Sequence, residues 1–233
     1  MFIVTGVSKG LGQAIVSALL KEGVNVIGIG RSHQFKDPKF SFIECDLSNI
    51  ESIKRIKLPV FKGPLTLINN AGILGNIKRL SDQKALDIAE VLLVNTIAPA
   101  ELTNVVYNSL ESKQHFRLVN ISSGAANSAI PSWAAYCASK AALNMLTEAF
   151  FMEEKEKGND IVAYAVSPGV IDTEMQHQIR SANPSAFSAV QKFINFKDQE
   201  ELFSPKEAAK RLLLLLKRPF VQEIRFDLRN IKA

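Results

Sequence analysis

Cysteine is scarce: the 233 residues hold two, Cys45 and Cys137, far apart in the chain. Two such thiols build no disulfide framework and no zinc site. They point to a reducing compartment, and a cytoplasmic protein is expected. The three histidines, His33, His115 and His177, do not cluster, so neither a metal centre nor a histidine base is expected. Long hydrophobic runs are missing too. In "RLLLLLKRPF" five leucines stand between charges, whereas a bilayer span needs about 20 apolar residues; a buried helix is the better reading. The opening "MFIVTGVSKG" lacks the basic region and cleavage site of a secretory signal. Charge of one sign is modest: 28 Lys and Arg against 23 Asp and Glu leave a net charge of +5. There is no dense basic run or basic–aromatic stripe, which excludes a nucleic-acid arm. The mild excess suits an anionic cofactor.

Hydrophobic residues make up 47% and charged residues 22%, as in a soluble globular protein long enough to bury a sizeable core. Short apolar runs alternate with amphipathic stretches. Strands are predicted at Phe2–Thr5, Val24–Gly28, Ser41–Cys45, Leu65–Ile68, Arg117–Ile121, Ile161–Val166 and Glu223–Phe226. Helices are predicted at Leu11–Lys21, Ile50–Lys57, Gln83–Asn95, Ala98–Ser112, Ala134–Lys157 and Pro205–Lys217. Such alternation implies an α/β protein with a doubly wound parallel sheet of about seven strands, helices covering both faces. With no linker or repeat, residues 1–233 read as one domain. The irregular stretch from Asp172 to Ser204 contains Phe187, Phe193 and Phe196. It is either a substrate lid or a pair of short helices that pack those rings inward.

The first strand runs into "TGVSKGLG", where Gly6, Gly10 and Gly12 open the first helix. Glycines let the backbone turn sharply and approach a pyrophosphate, which the helix N-terminus favours. The second strand ends "VIGIGRS" without the acidic residue that would bind a ribose diol. Arg31 and Lys9 instead suit a 2′-phosphate, the alternative being two solvated surface cations. In "YCASKAAL" a phenol and an ammonium, Tyr136 and Lys140, stand four residues apart on one helix face.

These pieces, with Asp46, "NNAG" at 69–72, Asn95, "NISS" at 120–123 and "SPGVIDT" at 167–173, resemble the short-chain dehydrogenase/reductase family in order and spacing along nearly the whole chain. "LINNAGILG", "SWAAYCASKAALNML" and "SPGVIDTEMQHQIR" are similar to its sepiapterin reductase and benzil reductase branch. A short segment between Asp46 and Leu65 departs from the family and suggests a trimmed helix there. The resemblance implies a Rossmann-type fold and four catalytic residues. Tyr136 would protonate the substrate oxygen and Ser123 would hold it. Lys140 would stabilise the phenolate and grip the nicotinamide ribose. Asn95 would hold a water linking Lys140 to solvent, or else be a helix-breaking residue before Pro99. Ser122 is expected to point to the other face. Cys137 is read as a packing residue.

The same resemblance implies an NADP(H) site. Thr5, Gly6, Ser8, Lys9, Gly10, Leu11 and Gly12 would form the phosphate turn. Arg31 and Ser32 would meet the 2′-phosphate, and Asp46 and Leu47 the adenine. Asn70 would contact the adenosine ribose side, with Ala71 and Gly72 allowing close backbone approach. Pro168, Gly169, Val170, Ile171 and Thr173 would line the nicotinamide. Asp227, in the closing "EIRFDLRN", would either anchor a pterin or serve structure. The expected activity is NADPH-dependent reduction of a ketone, a vicinal diketone or a pterin side chain. The alternatives are an alcohol or hydroxysteroid dehydrogenase running oxidatively, and a non-catalytic NADP-binding sensor. Expected partners are a small carbonyl substrate and further copies of the chain, as a homodimer or homotetramer, without nucleic acid or membrane.

Overall fold

The computed structural model describes residues 1–113, 115–219 and 223–232. Seven parallel strands form one sheet: β1 (Phe2–Thr5), β2 (Val26–Gly30), β3 (Phe40–Glu44), β4 (Leu65–Asn69), β5 (Phe116–Ile121), β6 (Ile161–Ser167) and β7 (Arg225–Asp227). Their order is β3-β2-β1-β4-β5-β6-β7. The order reverses between β1 and β4, the switch point where such sheets open a crevice beyond their carboxyl ends.

Strand alternation sends neighbouring residues to opposite faces. Ile3, Leu67 and Leu118 go to one face, against α4 (Ala98–Asn108). Val4, Ile68 and Val119 go to the other, against α1 (Gly10–Lys21) and α8 (Pro205–Lys217). Because both faces are covered, the strands read as continuous apolar runs rather than alternating ones. The leucine run belongs to α8, where Leu212, Leu213, Leu215 and Leu216 are buried. No helix among the described residues is long and apolar enough to cross a membrane. A buried polar ladder ties strands to helices on the α4 face: Asn69 Nδ2 donates to Asn120 Oδ1 at 2.9 Å, and Asn120 Nδ2 to Thr147 Oγ1 at 2.8 Å in α5 (Ala134–Glu156).

The sequence places β2 two residues too early. Val24 closes α1 instead of opening the strand: its N–H bonds the Leu19 carbonyl at 3.1 Å, after Gly23 turns at φ +75°. The short α2 (Ile50–Lys54) stops three residues before the predicted Lys57, and the Asn49 side chain caps its start. The helices predicted to part near Asn95 are instead continuous. α3 (Ala85–Leu92) passes through a π-helical turn, Leu93–Ile97, directly into α4. Pro99 has no N–H, so the α-helical bond to the Asn95 carbonyl cannot form, and the chain widens there.

Residues 172–204 contain two short helices, α6 (Glu174–Arg180) and α7 (Val190–Asp198). Phe187 and Phe193 are buried beside Trp133 in a separate apolar cluster with Leu74, Tyr136 and Ile179. The Asp172 carboxylate ties the start of the segment to both helices, accepting from Lys197 on α7 at 2.5 Å and from Arg180 on α6 at 3.5 Å.

Candidate active site

A cleft of about 650 Å³ opens across the carboxyl ends of the strands. Its floor begins at the glycine turn. Gly6 and Gly10 hold φ of +69° and +59°, where only glycine sits without strain. Gly12 answers a different demand. A Cβ there would lie 2.2 Å from the Gly6 carbonyl oxygen and 2.5 Å from Asn70 Nδ2. The turn, the first helix and the β4 loop therefore meet with no room for a side chain. Thr5 locks that loop from behind, its Oγ1 accepting from the N–H groups of Asn70 and Ala71 at 2.9 and 3.0 Å.

Ser8, Lys9, Gly10 and Leu11 line one end of the cleft, with Arg31, Asp46 and Leu47 beside them. Arg31 is exposed and forms no hydrogen bond or ion pair among the described residues. The Asp46 carboxyl is held below the usual range, chiefly by two hydrogen bonds from Ser48 and to a lesser degree by Arg31. Asn70, Ala71 and Gly72 form the middle. Pro168, Gly169, Val170, Ile171 and Thr173 form the far wall.

Ser123, Tyr136 and Lys140 come together at the centre. Tyr136 is 7% exposed and Lys140 4%. Burial pushes the phenol of Tyr136 up, and a hydrogen bond with Ser123 offsets part of that rise. Burial lowers the Lys140 ammonium to about 8. Its Nζ donates to the Ile121 carbonyl at 2.8 Å and stands 5.9 Å from the Tyr136 ring centre. Sequence reasoning has the ammonium depress the phenol. In the structure burial is the largest influence on both groups, and it disfavours the charged form of each. Of the neighbouring serines, Ser122 spends its hydroxyl on Asn144 Oδ1 at 2.5 Å, while Ser123 caps a short 3₁₀ turn by accepting from Ala125 N–H at 3.1 Å.

Asn95 is fully buried and does not itself line the cleft. Its amide clamps Ile73, accepting from the N–H and donating to the carbonyl at 2.8 Å each, and donates to Ser139 Oγ on α5 at 3.0 Å. A Cβ on Gly72 would sit 3.1 Å from Asn95 Oδ1 and 3.5 Å from Lys140 Nζ, so these three residues converge. Thr5, Gly12, Ser32 and Asp227 also lie off the cleft wall. Asp227 is engaged elsewhere: its carboxylate grips the Arg229 guanidinium at 2.6 Å and accepts the Arg229 backbone N–H at 2.9 Å.

Leu74, Trp133, Gln176, Ile179 and Phe193 wall the end beyond Tyr136. Phe193, Gln176 and Ile179 belong to the segment 172–204 expected to be a lid or a pair of short helices, whereas Leu74 and Trp133 were passed over; Trp133 carried a signal, standing one helical turn before Tyr136.

The short chain dehydrogenase family pattern matches residues 1–184. The benzil reductase ((S)-benzoin forming) of Bacillus cereus is 33% identical over 92% of this chain and 92% of its own length. That of Bacillus subtilis is 34% identical over 94% and 93%. Among solved structures, the Saccharomyces cerevisiae short chain dehydrogenase/reductase YIR035C superposes with a TM-score of 0.83 at 27% identity, covering 98% of this chain and 96% of the other.

Proposed function

Because the chain belongs to the short chain dehydrogenase family, we propose that it is an NADPH-dependent carbonyl reductase whose substrate is a vicinal diketone of the benzil type. The observation that carries this reading is the meeting of buried Tyr136 and Lys140 with Ser123 in an apolar-walled cleft. The non-catalytic alternative accounts less well for it, since a binding module has no use for a buried proton donor beside a buried ammonium; the oxidative alternative is disfavoured instead by Arg31 at the cleft's end, which suits NADPH, the usual reductive pool.

The residues present fit a nicotinamide dinucleotide: Gly6 and Gly10 turn the chain at positive φ on the cleft floor, where the first helix begins, and a helix N-terminus at such a turn favours a pyrophosphate. When bound, the cofactor supplies a hydride to the carbonyl carbon. The chain's own residues do the rest. Ser123 and Tyr136 hold the carbonyl oxygen by their hydroxyls, where negative charge develops. Tyr136 then gives its proton to that oxygen. The raised value of the phenol keeps it protonated until the oxygen needs it. Lys140 faces the phenolate that remains, and Asn95 holds the Gly72–Ile73 backbone against both. A pterin substrate is the weaker reading, because Asp227 is occupied by Arg229 and stands off the cleft.

Preference for NADPH rests on Arg31 and Lys9 at the end of the cleft, with no acidic residue directly after β2. Arg31→Asp is expected to lower kcat/KM for NADPH by about tenfold to a hundredfold and to lower that for NADH far less. An unchanged ratio of the two constants would remove Arg31 from the phosphate site. The wild-type assay with benzil, sepiapterin and a steroid ketone tests the substrate class, and indifference to benzil would overturn it.

The lowered Lys140 value adds a pH dependence. The ammonium loses its proton as pH rises through about 8. kcat/KM for NADPH, which reports the free enzyme, should therefore fall above that pH with a slope of about one proton. Lys140→Arg should flatten that limb, since a guanidinium stays charged. A wild-type profile level to pH 10 would show that the charge of Lys140 is not needed.

A further inference from the structure

The Trp133 indole is 6% exposed, and its Nε1–H has no hydrogen-bond partner. Buried donors are almost always paired, so an orphan on the wall of a catalytic cleft calls for a reason. Its setting is constrained. Ser132, just before it, holds φ at +71°, a conformation that L residues rarely adopt. The Ser132 hydroxyl donates to the Ala186 carbonyl at 2.5 Å, next to Phe187. The indole stacks on Phe187 with ring centres 5.3 Å apart and meets Tyr136 edge-on at 5.7 Å. Strained backbone and stacked rings thus hold an unused donor beside the proton donor.

Building on the diketone reading, we propose that Trp133 is a specificity residue: its Nε1–H takes the second, non-reacting oxygen of a vicinal dicarbonyl while Tyr136 and Ser123 take the first. The two oxygens of such a substrate sit on adjacent carbons, and the two donors sit on adjoining rings. An indole N–H can only donate, so it suits a carbonyl acceptor and offers nothing to a methylene in the same place. Phe193, whose ring centre lies 5.2 Å from the indole, shares the cleft wall from α7. The N–H is itself buried in the free protein, and in this proposal displacement of the Phe193 ring on substrate entry uncovers it. Leaving this donor unpaired until a dicarbonyl arrives turns a cost in the free protein into discrimination against simple ketones.

Benzil and deoxybenzoin form the test pair, since they share both phenyl rings and one carbonyl and differ by the second oxygen. Wild-type enzyme should prefer benzil, and Trp133→Phe, which keeps a ring and removes the N–H, should shrink the ratio of their kcat/KM values by about tenfold. The melting temperature of Trp133→Phe should stay level or rise, because the variant loses an unsatisfied donor. Trp133 is the one tryptophan of the chain, so its indole gives a single side-chain N–H signal in a proton–nitrogen NMR spectrum. In the complex with NADP⁺, benzil should move that signal downfield and slow its exchange with water, and deoxybenzoin should not. An equal loss on both substrates, or an indole that responds to both or to neither, overturns the proposal. If the wild type reduces neither compound, the diketone reductase reading fails. The NMR arm still decides the N–H contact on its own.

Discussion

Tyr136→Phe is expected to reduce kcat by about 10²–10⁴-fold while the dissociation constant for NADPH stays within about twofold. The substitution deletes one oxygen from a side chain that is 7% exposed and packed edge-on against Trp133. The phenyl ring can keep that packing, so the fold should survive. Two things are lost together: the proton delivered to the substrate oxygen, and a hydrogen bond that strengthens as charge grows there. Both losses fall on the transition state, which places the effect in kcat. Stopped-flow turnover and fluorescence titration of NADPH measure the two quantities separately. Near-normal turnover in this variant would sink the assignment of Tyr136 as the acid.

Lys140→Met should lower kcat/KM by about 10³-fold and leave the melting temperature at neutral pH unchanged or higher. The two signs differ for a physical reason. Burial lowers the ammonium from 10.5 to about 8, which corresponds to a cost of about 3 kcal/mol for keeping the charge inside the fold. Methionine fills most of the same space without that cost. Against it stands the lost donor to the Ile121 carbonyl, worth about 1–3 kcal/mol. The pH dependence sharpens the test. Lys140 binds its proton less tightly in the folded state than in the unfolded one. Its burial cost is therefore fully present below about pH 8 and disappears as pH rises from about 8 to 10.5. The variant's advantage in stability should shrink over that window and vanish above it. A variant that loses stability and activity in parallel at pH 7 would show that Lys140 is mainly structural.

Much of the site was legible before the structure because its chemistry is written in local patterns. Tyr136 and Lys140 share a helix face at a fixed spacing. Gly6 and Gly10 mark a turn that only glycine makes cheaply. The alternation of apolar runs and amphipathic stretches implied a parallel sheet, and the sheet has seven parallel strands. Boundaries were less legible. Val24 looks like the first residue of a strand, yet its N–H closes a helix, a choice that depends on Gly23 and Leu19 rather than on Val24. The continuity of α3 and α4 was hidden too, because Pro99 and Asn95 suggest a break where the chain instead widens by one π turn.

By itself, the sequence determined the α/β class, the glycine turn after β1 and the placing of Tyr136 and Lys140 on one helix face, because each depends on residues close together in the chain. Only the tertiary structure decided what surrounds them. Burial depends on distant segments, and it raises the Tyr136 phenol although a hydrogen bond with Ser123 lowers it. Asp227 pairs with Arg229 and stands off the cleft wall. Phe187 and Phe193, more than fifty residues beyond Trp133, close around its indole and leave its N–H without a partner. Spacing along a chain announces which groups can share a face; desolvation and orphaned donors arise only when remote segments exclude water from those groups.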